Sequence, residues 1–207
     1  MGILNPAMTF LLRVAIKLTG YGFSRPELLA RRIESSLGLN AVSSLFLVLP
    51  GSAAVSVLRA YGASIGEHVR VNPPLILQNA DEGFGNLSIG DDCHLGSNVL
   101  LDLAAPISIG SRVTIAMGSI ILTHFDVGDS RLKDSGYSRK EGAVVIADDV
   151  FLGAGTIVLA GVSVARRTLV GAGSLMTKSV ETSSIVAGVP AKVIKTMPSD
   201  RYTGQTS

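Results

Sequence analysis

The chain has 207 residues, which suits one domain with a short added element. Its net charge of +2 is too weak to argue for a nucleic-acid partner. Hydrophobic residues make up 47%, yet aromatics only 5% and Trp is missing, so the core must be filled by Val, Ile, Leu and Ala in narrow layers.

Residues 1–60 read as an apolar, helical N-terminal segment. No charged residue occurs from Ser35 to Leu58. Serines and Pro50-Gly51 interrupt that run, which argues against a membrane-crossing helix. Two readings stay open. The segment caps the domain or packs between subunits, or residues 35–60 lie on an anionic membrane face flanked by Arg31, Arg32 and Arg59. Cys93 is the single cysteine, so no internal disulfide can form and a reducing, cytoplasmic setting is expected. No export signal with a small-residue cleavage site is evident.

From Ile65 onward an aliphatic residue recurs every sixth position. The runs are Ile65, Val71, Leu77; then Ile89, Leu95, Leu101, Ile107; then, after a slip of two, Ile109, Ile115, Ile121. The longest is Ile146, Leu152, Val158, Val164, Val170, Met176. A period of six fits neither an amphipathic helix nor an alternating strand. It fits short strands joined by tight turns at the corners of a triangular prism. Gly or a small residue lets the chain turn, and three hexads make one coil. Stacked coils pair their backbone groups and bury the apolar side that a single coil would expose.

The pattern breaks over residues 78–88 and again over 125–143. The second break is polar, holding Asp126, Asp129, Arg131, Lys133, Asp134, Arg139, Lys140 and Glu141. A polar insertion in a solenoid is an extruded loop, and such loops often carry function. The expected organisation is an N-terminal segment 1–60, a β-helix domain 61–197 with loop 125–143, and a flexible tail 198–207.

Several motifs now stand in order: Thr123-His124-Phe125-Asp126 before the loop, Val150-Phe151-Leu152-Gly153-Ala154 after it, then Val170-Gly171-Ala172-Gly173-Ser174-Leu175-Met176-Thr177-Lys178. Ala187-Gly188-Val189-Pro190-Ala191-Lys192-Val193-Ile194-Lys195 closes the series. This order resembles the maltose/galactoside acetyltransferase branch of the hexapeptide-repeat acyltransferases. It looks closest to the sugar O-acetyltransferases of polysaccharide biosynthesis. The resemblance implies an all-β solenoid, specifically a left-handed parallel β-helix. It also implies a homotrimer with sites between neighbouring prisms, acetyl-CoA as co-substrate, no metal, and a sugar or glycan-precursor acceptor.

His124 matches the family's catalytic histidine. A sugar hydroxyl is a poor nucleophile near neutral pH, and an ordinary imidazole, titrating near ~6.5, can take its proton during attack. Asn98 and Asp102, one coil earlier, resemble acceptor-side residues of the family, although Asn and Asp also favour turns for their own sake. Asp126 stands two residues from His124, an awkward position for orienting its ring.

For acetyl-CoA the resemblance points to the backbone at Ala154 and Ala172, to Thr177 and Lys178, and to Lys192 and Lys195. A lysine can meet a phosphate as a point charge. Phe151 stands where the branch often has Trp, and Lys192 and Lys195 where it often has Arg. Three competing readings follow. A metal-dependent β-helix enzyme needs paired histidine ligands, and His68, His94 and His124 are far apart. A non-catalytic scaffold would not need His124, the loop and Thr177-Lys178 together. An N-acyltransferase acting on an amino sugar stays open, because the same base serves an amine.

Overall fold

The computed structural model describes residues 25–198. The first part of the expected helical segment, 1–24, and all but the first residue of the expected tail lie outside them. Nineteen strands follow three helices among the described residues, and most strands are only two or three residues long.

Helices α1 (Pro26–Leu37), α2 (Leu39–Leu45) and α3 (Gly51–Ala60) pack at the start of the solenoid. Proline suits the first turn of α1 because its missing N–H would have no helical partner there. Gly38, at φ 82°, ends the helix in a conformation glycine adopts without cost. Ala30, Ile33, Val42, Leu45, Phe46, Leu49, Ala53, Ala54, Val57 and Leu58 are buried, so the three helices cover the open end of the prism. In this run Leu37, Leu47 and Val48 stay exposed. No helix among the described residues is long and apolar enough to cross a membrane.

Hydrogen bonds fasten this cap to the coils. The Arg59 guanidinium donates to the carbonyls of Ile65 and Gly66 at 3.0 and 2.7 Å, and Leu75 N donates to Phe46 O at 2.9 Å. Tyr61 donates to Glu34 at 2.9 Å, and burial plus that carboxylate push its phenol up to about 12. Phe84 meets Phe46 edge-on with ring centres 5.4 Å apart. Among the described residues these two rings are the aromatic part of the buried core, and the prism interior is aliphatic, as composition requires.

Five coils build the left-handed parallel β-helix. The first face holds β1 (Ser64–Ile65), β4 (Leu87–Ile89), β7 (Ile107–Ile109), β12 (Val144–Ile146) and β15 (Ser163–Val164). The second holds β2 (Arg70–Val71), β5 (His94–Leu95), β8 (Thr114–Ile115), β13 (Phe151–Leu152) and β16 (Leu169–Val170). It is closed by a hairpin of β18 (Ser184–Gly188) and β19 (Ala191–Thr196). The third holds β3 (Leu75–Gln78), β6 (Val99–Asp102), β9 (Ile120–Ile121), β14 (Ile157–Val158) and β17 (Leu175–Met176).

Hexad residues stack in register. Ile65, Ile89, Ile109, Ile146 and Val164 align on the first face. Val71, Leu95, Ile115, Leu152 and Val170 align on the second. Leu77, Leu101, Ile121, Val158 and Met176 align on the third. All are buried. At roughly 25 cal/mol per Å² of apolar surface, each contributes about 1.5–3 kcal/mol of burial energy. Ile107 falls outside this alignment: it pairs with Leu87 and Val144, so Ile109 and not Ile107 holds the first-face hexad position.

The outward residues differ by face. The first face shows Ser64, Ser88, Ser108, Val145 and Ser163. On the third, Ile76, Leu100, Ile120, Ile157 and Leu175 form one aliphatic stripe, each only partly covered.

Candidate active site

The three departures from the hexad before Met176 fall at one corner, where the third face passes into the first. Regular coils turn there in a few residues, as Leu159-Ala160-Gly161-Val162 does between β14 and β15. Coil one instead runs through the irregular segment 79–86. Coil two takes eight positions instead of six from Leu101 to Ile109, two extra residues in the stretch after Asp102, which is the slip of two in the sequence. Coil three extrudes residues 126–139 between β10 (His124–Phe125) and β11 (Lys140–Glu141). These strands pair antiparallel, His124 opposite Glu141. The hairpin tip carries a 3-10 turn, Arg131–Ser135, and residues 128–141 are all exposed.

Asp102 and His124 meet at this corner. Asp102 Oδ2 lies 2.6 Å from His124 Nδ1 and accepts backbone N–H bonds from Thr123 at 2.8 Å and His124 at 3.1 Å. Its Oδ1 accepts from Asn79 Nδ2 at 2.6 Å and from Ala104 N at 3.3 Å. Thr123 Oγ1 donates to Asp102 O and accepts from Ala105 N, fixing the strand that carries the histidine. Burial alone would raise the Asp102 carboxyl. The bonds from His124, Asn79, Thr123 and Ala104 outweigh burial and hold it at about 2. The residue is therefore an anion at neutral pH.

This corrects the acceptor-side reading of Asp102. The residue is 1% exposed and both oxygens are occupied from within the chain, so it cannot reach an acceptor. Its carboxylate instead fixes His124. With Nδ1–H donated to Asp102, the lone pair at Nε2 is left to accept a proton. The ring is partly exposed, with 24% of its side-chain surface open.

Asn98 is not beside His124. It is an exposed corner residue at φ 59°, where the second face turns into the third. Asn tolerates that left-handed conformation better than most residues, and Gly118, Gly155 and Gly173 occupy the same position in the next three coils. A ladder of backbone bonds links the column: Gly118 N to Ser97 O, Gly155 N to Met117 O, Gly173 N to Ala154 O. Ala154 and Ala172 belong to this column and are exposed. Thr177 and Lys178, also exposed, lie at the His124 corner on coil five. Lys192 and Lys195 sit on the closing hairpin opposite Ala187 and Ile185. The nine expected residues thus fall into two corner columns and a hairpin. One width of the third face, roughly 13 Å at ~3.3 Å per residue, separates the columns.

Several residues at the site escape a reading of motifs. Asn79 lies on the broken segment, and Thr123 looks like an ordinary strand residue. Arg139 crosses the base of the hairpin, donating to Glu141 at 2.8 Å and lying 3.7 Å from Asp126. Asp126 is thus committed to Arg139 and to Gly128 N, and not to the His124 ring. A cavity of about 390 Å³ opens between segment 79–86 and Arg139, with Asn79, Asp81, Glu82, Asn86 and Ala104 in its wall. No group of three or more His, Cys, Asp or Glu side chains able to hold a metal occurs among the described residues.

The family model for the hexapeptide repeat of succinyl-transferase matches residues 86–123 and 143–178, on either side of the extruded hairpin. The chain belongs to the hexapeptide-repeat family. This hexapeptide-repeat chain is 31% identical over 141 residues to a galactoside O-acetyltransferase of Lactococcus lactis, covering 67% of itself and 65% of that protein. It is 33% identical over 131 residues to a serine acetyltransferase of Buchnera aphidicola, covering 63% of itself and 46% of the relative. It therefore spans less than two thirds of either relative. Among solved structures it matches a hexapeptide-repeat acetyltransferase of Vibrio cholerae complexed with acetyl-CoA. That match has a TM-score of 0.65 and 25% identity, over 80% of this chain and 92% of that one.

Proposed function

We propose that this chain is an O-acetyltransferase that moves the acetyl group of acetyl-CoA to a sugar or glycan-precursor hydroxyl, with His124 as general base. The observation that carries this reading is the 2.6 Å contact between a buried, ionised Asp102 and His124 Nδ1 at the foot of the extruded hairpin. The acceptor O–H gives its proton to Nε2 as its oxygen attacks the thioester carbonyl carbon. The C–S bond then breaks, and the imidazolium returns the proton to the departing sulfur of CoA. Asp102 stabilises the imidazolium in between. The galactoside relative favours a sugar hydroxyl over an amine as acceptor.

The working unit is a homotrimer. One chain holds His124, Thr177 and Lys178 at one edge of the third face, and Ala154, Ala172 and Asn98 at the other. Packing third faces around a threefold axis brings opposite edges of neighbouring chains together and covers the stripe of Ile76, Leu100, Ile120, Ile157 and Leu175. The hairpin, with Phe125, Leu132 and Tyr137 about half exposed, then reaches a neighbour. Lys178, Lys192 and Lys195 supply positive charge for the phosphates of the donor. Any membrane contact falls to Leu37, Leu47 and Val48, and flotation with anionic liposomes checks it.

The test is release of the CoA thiol, followed with a disulfide dye, from acetyl-CoA plus a panel of glycosides that includes β-galactosides and maltose. Acceptor-dependent release with an O-acetylated product by mass spectrometry is expected. Acetyl-CoA binding without release across the panel would contradict an acetyltransferase and leave a binding scaffold.

A further inference from the structure

We propose that Asn79 is a positioning residue of the active site, a role that rests on the acetyltransferase reading above. Its evidence is geometric. Asn79 in coil one, Asp102 in coil two and His124 in coil three stack at a single corner, one residue from each coil. The amide of Asn79 donates to Asp102 Oδ1 at 2.6 Å, while Asp102 Oδ2 holds the imidazole at 2.6 Å. Apart from Asn79, Oδ1 has only the long 3.3 Å bond from Ala104 N, and a carboxylate held that loosely on one side can swing about its χ2 torsion, which is broad. Gripped on both sides, it is locked, and the ring it orients is locked with it.

Local structure supports the assignment. Gln78 ends β3 in register with Asp102, so the next residue sits above that carboxylate. Asn79 has φ 53°, the left-handed region, which turns the chain out of the strand there. Segment 79–86 is then pinned by Phe84, which is fully buried against Phe46 and whose N donates to Tyr61 O at 2.8 Å. The break in the first coil is therefore a fixed structure that presents one amide to the base's carboxylate. Asn79 also lines the cavity that Asp81, Glu82 and Arg139 share, and these are the charged groups around it besides Asp102 and His124.

Two variants separate positioning from turn-making. Asn79→Gly keeps the left-handed turn without strain and removes only the donor. Asn79→Asp keeps size and turn tolerance but sets a carboxylate oxygen against Asp102. Positioning predicts that Asn79→Gly lowers kcat roughly 10- to 100-fold while the KM for acetyl-CoA stays within about twofold. Asn79→Asp should lower kcat further above neutral pH. It should also add a falling basic limb to the pH profile, because two facing carboxylates share a proton and lose it as pH rises. A wild-type profile has no such limb.

A second reading needs no acceptor. The Nδ1–H proton of His124, observed by NMR in ¹⁵N-histidine-labelled full-length protein, should be sharp in the wild type and broadened by exchange in Asn79→Gly. Near-normal kcat in both variants, or an unchanged Nδ1–H signal, would overturn the proposal. If the wild type transfers no acetyl group, the acetyltransferase reading falls, while the NMR comparison still decides the role of Asn79.

Discussion

Asp102 and His124 sit one coil apart, and the carboxylate of the first meets the ring of the second at 2.6 Å while bonding the backbone N–H that precedes and the one that belongs to it. One buried anion thus holds both the histidine's ring and its strand. Asp102→Asn keeps the shape but places an N–H₂ among groups that already donate. We expect kcat to fall by roughly 10² to 10⁴-fold, since the ring loses its preferred tautomer and its counter-charge. Thermal stability should also fall, because a buried donor facing donors costs roughly 1–3 kcal/mol. Steady-state kinetics and thermal melts on the same preparation check both effects.

The same carboxylate makes stability depend on pH. Its folded-state value of about 2 lies below the ordinary carboxylate value of 3.8. A depressed folded value means stability that is full above the unfolded value and lost as pH falls through the folded one. The contribution is about 2 kcal/mol at neutral pH. Urea melts from pH 7 downward should show the wild type converging on Asp102→Asn between about pH 4 and pH 2. A constant gap over that range would contradict the bonding described.

The hexad period made the fold legible. Each of Ile65, Val71, Leu77 and their successors does one job, pointing inward at a defined face, so spacing alone places it. The site was legible only in part. The motif singled out His124 and the slip after Leu101 marked the corner where it lies, but the slip does not say what the added residues do. Asp102 looked like an acceptor ligand because a sequence does not show that its two oxygens are already occupied. Asn79 gave no signal beyond its place in a broken repeat. Its partner is in the next coil, and only stacking brings them together. Asn98 was linked to the acceptor side of His124 by resemblance alone, and within one chain the two lie at opposite ends of the third face.

The aliphatic stripe on the third face predicts the assembly. Light scattering at micromolar concentration should give three times the chain mass. Ile157→Glu places a charge in the middle of the stripe without touching the interior, since Ile157 points outward while its neighbour Val158 is buried. This variant should run as a folded monomer with little transferase activity. A wild-type monomer with full activity would refute the trimeric site.

Lys178 lies two coils from His124 along the same corner. A remote contact with a phosphate supplies binding that is alike in the ground and transition states. Lys178→Ala should therefore raise the KM for acetyl-CoA more than it lowers kcat. Acetyl-dephospho-CoA separates the possibilities. If mutant and wild type discriminate equally between the two donors, Lys178 does not meet the 3′-phosphate.

The most direct measurement is the kcat of His124→Ala against the wild type, with acetyl-CoA affinity, thermal midpoint and assembly mass measured alongside. If the ring, held by Asp102, takes the acceptor's proton as proposed, kcat should drop roughly 10² to 10⁴-fold while acetyl-CoA binding changes little. His68→Ala and His94→Ala serve as controls. His68 pairs with Asp92 at the first-to-second corner and His94 contacts Asn72 on the second face, both away from the site, so both variants should keep near-normal rates. A folded His124→Ala protein of unchanged mass that retains most of its activity would contradict the mechanism.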